Sequence, residues 1–439
     1  MTDRNDPVVM RHRNLEKIAM TALAVGRTLV ETGAKTDVVR QGMTMVAEGL
    51  GADQIHARIG FASLSLTVTS GDNTITRMRT VGAHGVNLRL NHGVRRLCTR
   101  VKHHDMTVAS TIEALTHLIT KTPRHPWYLV ALAVGLACAS FGRLLGIDWS
   151  AFMPVLIGGA LGQAVRHFLL KAHTNPFVVA AIVACVAATT AGFGSELLAS
   201  PMLQTAMFSS VLLLVPGVPV LNAQTDIMEG YPTMGSARAM TVLMILVFIT
   251  VGVWAAQMAL GVGGPKAAPI VHGVLHQAFF GATAAFGFGI LFNFGWRTLF
   301  WAALAGGLAL SVRTVGLELG WSLAAASFMA AAAVGVAVRL LNLLPDRFGP
   351  AGNVLAVAGC IPMVPGSAAS QGIMGLMELT AQAPVDAHAT LLFTVEYTLR
   401  AIFTMGAIGA GLTIVTSVLR RPDFPAWTEK VGLRAQREE

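Results

Sequence analysis

Charge is scarce in this 439-residue chain: Asp, Glu, Lys and Arg make up 13% of it, against 54% hydrophobic residues and a mean hydropathy of +0.60. A soluble protein of this size cannot hide so much apolar surface, so the composition indicates a membrane protein. The scarcity is regional. Residues 1–125 hold 17 Lys+Arg and 10 Asp+Glu, residues 126–419 hold 10 and 9, and the last 20 hold 5 and 4. A soluble enzyme on a single anchor is thereby excluded, because the C-terminal two-thirds has to sit in lipid. Cysteine is also rare. Cys98, Cys138, Cys185 and Cys360 show no CxxC spacing, which argues against a disulfide framework or a zinc site. No basic stretch followed by an apolar one opens the chain, so the N-terminal portion is expected to stay cytosolic. Walker A, HExxH, GxSxG and redox motifs are all missing, and neither ATP-driven transport, an enzyme, a metal nor a cofactor is expected. The basic surplus of the first 125 residues fits the anionic inner leaflet better than nucleic acid.

What is present begins with a small α+β domain over residues 1–125. Leu15, Ile18, Ala22, Val25 and Leu29 recur at helical spacing up to Gly33, and a second helix runs from about Thr36 to Gly49–Gly51. The period then drops to two. Leu64, Leu66 and Val68 alternate with Ser63, Ser65, Thr67 and Thr69, and Ser70-Gly71-Asp72-Asn73 turns the chain into a further strand over 74–81. Helical spacing returns after Asn87, clearest at Val108, Ile112, Leu115 and Ile119, until Pro123 and Pro126. Eight of thirteen histidines lie here, including His103-His104; without a Cys or carboxylate at ligand spacing they read as solvated surface residues.

From Trp127 onward, ten apolar stretches of about 20 residues are long enough to cross a bilayer. They lie near 127–146, 151–170, 177–199, 202–222, 238–260, 270–292, 296–313, 320–341, 351–371 and 390–419. With a cytosolic N-terminus, ten basic residues (among them Lys121, Arg124, Arg166, Arg238, Arg347 and Arg421) fall at inner ends, and only Arg143, Lys266 and Arg313 at outer ends. That agrees with the positive-inside rule. A Gly-rich linker at Gly261, Gly263, Gly264 and Pro265 divides the spans five and five, and the halves resemble each other. Val215-Pro216-Gly217 precedes Met228-Glu229 as Val364-Pro365-Gly366 precedes Met377-Glu378, 149 residues on; Gly158-Gly159 and Arg166 are matched by Gly306-Gly307 and Arg313. An odd number of spans per half makes the repeat inverted, an architecture of secondary transporters. The expected domains are 1–125, 126–262, 263–419 and a basic cytosolic tail over 420–439.

The Val-Pro-Gly motifs are expected to break the fourth and ninth spans, since proline removes a donor and clashes with the preceding turn. The broken ends offer amides and carbonyls to a substrate. Pro216, Gly217, Asn222, Gln224 and Asp226, with Pro365, Gly366, Ser367 and Gln371, are the candidate substrate-binding residues. Glu229 and Glu378 occupy equivalent positions and are candidate proton carriers; solvated loop carboxylates are the alternative. Glu396 and Arg400, one turn apart in the tenth span, form a candidate gate or a structural pair. Gln257, His272, His276 and Gln277 are weaker candidates.

The Thr76-Arg77-Met78-Arg79 strand, Gly85-Val86-Asn87-Leu88 before a helix, Thr111-Ile112-Glu113-Ala114-Leu115 and the ten spans with two Val-Pro-Gly motifs resemble the bacterial threonine/serine exporter family. The similarity runs from about Leu15 to Leu419. Some members of that family are split into two proteins at the position of Gly263-Gly264, and some are linked to succinate export. The resemblance implies export across the bacterial inner membrane driven by the proton motive force, with both termini cytoplasmic. The expectation is a polytopic all-α exporter of threonine or serine in exchange for protons. A dicarboxylate exporter is the alternative, a membrane sensor and a channel are readings of other classes, and a homo-oligomer is compatible with all of them.

Overall fold

A computed structural model describes residues 12–103, 106–262, 273–341, 353–380, 387–419 and 424–425. The linker at Gly263–Gly264, Lys266, His272, His104, Arg347 and the tail apart from Phe424 and Pro425 lie outside the described residues. The chain divides into two units, and the first contains more than the N-terminal domain: it takes in residues 1–124, 225–238 and 421–439.

Unit 1 contains α1 (His12–Glu31), α2 (Thr36–Gly49), β1 (Gln54–Ile59), β2 (Ser63–Ser70), β3 (Asn73–Thr80), α3 (Leu88–His103) and α4 (Val108–Lys121). The strands form one antiparallel sheet in the order β1-β2-β3. Alternation along β2 buries Leu64, Leu66 and Val68, while Thr67 and Thr69 pair with Thr76 and Thr74 of β3 through their hydroxyls. The buried row meets Leu15, Ile18, Ala22 and Leu29 of α1 and Met43 and Val46 of α2. Strand β1 is a correction to the two-strand hairpin: QIHARI alternates as β2 does, with Ile55, Ala57 and Ile59 packed half-buried against the core and Gln54, His56 and Arg58 exposed, but it is short and none of its residues is fully buried. Met234 (2% exposed) and Phe424 (7%) close the same core from far along the chain.

Unit 2 contains α5 (Trp127–Leu144), α6 (Trp149–Lys171), α7 (Pro176–Leu197), α8 (Leu203–Val211), α9 (Gly217–Met228), α10 (Pro232–Leu260), α11 (Val274–Leu291), α12 (Trp296–Glu318), α13 (Leu323–Leu341), α14 (Asn353–Cys360), α15 (Gly366–Leu379) and α16 (Ala387–Val418). The last residues of α9 and the first turns of α10 belong to unit 1. Eight of these helices are long and apolar enough to span a membrane, and α8 with α9, bent by 60° at the break, is long and apolar enough when taken together. Helices α14 and α15 are a second broken pair. Residues of 12–121, Met234 and Phe424 share one core.

The two halves repeat in backbone detail. Helices α5 and α11 both have 18 residues and start at 127 and 274; α6 and α12 both have 23, each opening on Trp, and start at 149 and 296: 147 residues apart in both cases. The turns agree: Gly146 and Asn293 are left-handed (φ 93° and 59°), as are His173 and Gly320 (φ 56° and 82°), again 147 apart. At the breaks the offset becomes 149, with 3-10 turns at Leu212–Leu214 and Ile361–Met363. The glycine pairing from the sequence shifts by one. Gly159 packs on Cys138 and Gly306 on Ala285, so Gly159 matches Gly306 rather than Gly307.

Candidate functional site

Each Val-Pro-Gly motif ends one half-helix and starts another. Val215 and Val364 close the 3-10 turns with bonds to Leu212 O and Ile361 O, and the amides of Gly217 and Gly366 donate to Val215 O and Val364 O, both at 2.8 Å. The two breaks touch. A Cβ on Gly217 would sit 3.1 Å from Ile361, and one on Gly366 would sit 2.8 Å from Val215, so glycine is what lets these backbones approach.

Beside the breaks lies a cavity of about 440 Å³, a size suited to a small molecule. It reaches from Val364, Pro365 and Gly366 to Leu145, Gln204 and Leu323, beside the turns that end α5 and α12. Its polar lining comes from Gln204, Thr205, Gln277, Arg313, Thr314, Ser367, Gln371, Tyr397 and Arg400, with no carboxylate among the lining residues. Arg400 is held by Glu396 at 2.6 Å and lies over the Tyr397 ring, 5.2 Å from its centroid. Arg313 has no such acid partner among the described residues, and Arg400 is close enough for the two cations to act on each other. The first turn of α15 adds the amides of Ser367 and Ala368, since Gly366 N is taken by Val364 O and Pro365 at the cap position supplies no side-chain bond. Two guanidiniums and a helix N-terminus facing one space can hold a small anion in a bidentate manner.

The sequence-derived candidates separate into groups. Gly217, Pro365, Gly366, Ser367 and Gln371 line the cavity together with Arg400 and the weaker candidate Gln277, and Pro216 lies between the lining residues Val215 and Gly217. Glu396 reaches the site through Arg400. Asn222 and Gln224 do not line it; Gln224 lies over Gly409 of α16 and donates to Gly406 O at 3.1 Å. Glu378 ends α15, half-buried and outside the lining. His276 meets Arg143 at 3.5 Å, and Gln257 is buried in α10. Arg313, Tyr397, Gln204, Thr205 and Thr314 were not singled out as binding residues. Arg313 sits near a helix end, where one arginine reads as a topology signal, and its match with Arg166 was the clue to more.

Asp226 and Glu229 belong to unit 1. Asp226, fully buried, lies 2.8 Å from the Arg238 guanidinium, close but off the hydrogen-bond angle, and accepts from Thr36 N at 2.8 Å. Arg238 donates to Ala34 O, and Lys35 pairs with Glu229 at 2.6 Å. Tyr231 bonds Arg40 and Asp37; burial pushes its phenol above the usual range. The loop after α1 thus grips the connection between α9 and α10. Glu229 and Glu378 are equivalent in sequence but not in surroundings.

No solved structure matches this chain. Proteins named "Probable succinate transporter subunit YjjP" match it in Escherichia coli (28% identical over 249 residues, 56% of this chain and 96% of that protein) and in Klebsiella aerogenes (27% over 252 residues, 57% and 97%). An "Uncharacterized protein" of Haemophilus influenzae is 26% identical over 140 residues, 32% of this chain and 46% of its own. A family model described as "Putative threonine/serine exporter" matches residues 20–260, and one described as "Threonine/Serine exporter, ThrE" matches residues 277–418. Together they cover both halves and most of the N-terminal domain: the chain belongs to the threonine/serine exporter family of membrane transport proteins.

Proposed function

We propose that the protein exports a small dicarboxylate across the bacterial inner membrane in exchange for protons. The observation that carries this is the cavity: Arg313 and Arg400 face it with the amide end of α15, and no lining residue is acidic. A zwitterionic amino acid also needs a partner for its ammonium group, and the lining offers only neutral acceptors for it: the amide oxygens of Gln204, Gln277 and Gln371, hydroxyls such as Ser367 and Thr314, and backbone carbonyls at the breaks. This lining supports the dicarboxylate, the alternative in the sequence reading, ahead of threonine or serine. The name borne by the Escherichia coli and Klebsiella aerogenes relatives points the same way. Threonine or serine is the second reading, favoured by the descriptions of both family models.

The matched halves support an inverted repeat in which access alternates between the two faces of the membrane. The charge asymmetry supports cytoplasmic termini. For protons, Glu396 on Arg400 and the unpaired Glu378 are the carriers; Glu229 is engaged by Lys35. Purified protein in liposomes tests the reading through counterflow of labelled succinate, threonine and serine with and without a pH gradient. Saturable succinate counterflow that accumulates with the gradient is expected. Counterflow of threonine or serine alone would install the second reading, and flux that neither saturates nor shows counterflow would indicate a channel.

A further inference from the structure

A second, collapsed space mirrors the cavity. It holds about 10 Å³, room for roughly one water, and is lined by Val134, Gly162, Gln163, Ser210, Leu213 and Leu214 among others. Under the repeat three of these residues are counterparts of residues that line the open cavity. Gln163 corresponds to Leu310 at an offset of 147, and Leu213 and Leu214 to Pro362 and Met363 at 149; Leu310, Pro362 and Met363 all line the open cavity. These three positions thus face an open space in the second half and a nearly filled one in the first, while pairs such as Phe141 with Phe288 and Leu212 with Ile361 both line the open cavity. Arg313, the eighteenth residue of α12, lines the open space, and the eighteenth residue of α6 is Arg166. Arg166 is half-buried and, among the described residues, bonded to no carboxylate or carbonyl. A guanidinium at this depth needs an anion, a polar cavity or lipid headgroups. His167 beside it matches the lining residue Thr314 and is stacked on Trp127, 5.8 Å between ring centroids.

We propose that Arg166 is the substrate-carboxylate site of the opposite state. When the cavity beside α12 closes, the space beside α6 opens, Gln163, Arg166 and His167 line it, and the dicarboxylate passes from Arg313 to Arg166. This rests on the dicarboxylate and inverted-repeat readings above. It assigns Arg166 a binding role in place of a topology signal, and it makes the two arginines alternate rather than act together.

The test uses the full chain in liposomes, without its four cysteines, carrying Leu310→Cys or Gln163→Cys. Impermeant thiol reagents should label Leu310→Cys from one face and Gln163→Cys from the other. Succinate should slow labelling of both, and an imposed succinate gradient should raise labelling of Gln163→Cys about threefold by cycling the protein. Arg166→Gln should lower succinate exchange about tenfold or more and abolish succinate protection of Gln163→Cys, while protection of Leu310→Cys stays within about twofold of the parent. Arg166→Lys, which keeps the charge but loses the bidentate fork, should recover part of the exchange. Parental exchange by Arg166→Gln would make the residue a headgroup anchor and overturn the proposal, as would labelling of both cysteines from the same face. The labelling arms leave Arg166 unaltered and so do not depend on that variant inserting. If succinate protects neither position and Arg313→Gln exchanges normally, the dicarboxylate reading falls as well; if Leu310→Cys is protected and only the Gln163→Cys results fail, this inference falls alone.

Discussion

The halves α5–α10 and α11–α16 share helix lengths, turn positions and the geometry of their breaks, yet they are held differently. In the first half the end of α9 is fixed by the buried Asp226–Arg238 pair and by Lys35 on Glu229. The positions 149 residues on are Gly375, Ala387 and Glu378, where no such pair can form. Equal backbones therefore do not imply equal freedom: α9 is tied to the N-terminal domain, and α15, whose N-terminus faces the cavity, is not. On the proposed function, this asymmetry would leave α15 and its neighbour α16 as the elements to shift on binding.

The largest effect should come from cutting that tie. Asp226→Asn leaves the Arg238 charge buried without a counter-ion and should cost about 3–5 kcal/mol of stability. The lowered thermal midpoint of the purified protein reads it, and Asp226→Asn combined with Arg238→Gln should recover most of the loss. Glu378→Gln, at the matching end of α15, should leave the midpoint nearly unchanged. An equal fall in both would remove the asymmetry.

Next comes the pair of cavity arginines. Arg313→Gln should weaken succinate binding by about 2 kcal/mol or more, some thirtyfold, and titration of the protein in detergent measures it. Arg400→Gln should weaken binding too, but it also leaves Glu396 without its partner; Glu396→Gln with Arg400→Gln should then insert well and still fail to couple export to a pH gradient. Full coupled export by that double variant would leave the pair a structural one.

The breaks allow a finer comparison. A methyl on Gly366 would press on Val215 more closely than one on Gly217 presses on Ile361, at 2.8 against 3.1 Å. Gly366→Ala should therefore reduce transport more than Gly217→Ala, each within the roughly 1–3 kcal/mol typical of overpacking. Equal rates would mean that both neighbours yield. The smallest effect lies in the turns. Gly320→Ala forces a side chain into a left-handed conformation at a cost of about 1 kcal/mol, whereas His173→Gly relieves the same strain and should stabilise by up to about 1 kcal/mol. Opposite shifts in thermal midpoint are expected.

The membrane class and the sites of the breaks were legible because each is written locally: long apolar runs, and Val-Pro-Gly at a fixed offset; of the ten expected spans, eight are single helices long and apolar enough to cross, and the fourth and ninth are broken pairs. The breaks fall within a residue or two of those motifs, and five of the nine candidate substrate residues line the cavity. What was hidden depends on distant partners. Asp226 and Glu229 read as transport carboxylates because nothing near them in sequence announces Thr36, Arg238 or Lys35. Arg313 read as a loop charge because one arginine near a span end looks the same whether it faces headgroups or a cavity. Strand β1 escaped because its alternation spans only six residues, with small Ala57 between Ile55 and Ile59.

The core that takes Met234 and Phe424 from distant stretches also constrains how the protein is made. Residues 12–121 are made before the membrane helices, but that domain cannot complete its packing until α5–α9 have been made and Met234 has emerged, and again until α10–α16 have been made and Phe424 has followed. The first part synthesised is among the last to finish folding. Its closure registers that both halves have been made, and a chain interrupted after α4 would leave apolar surface bare.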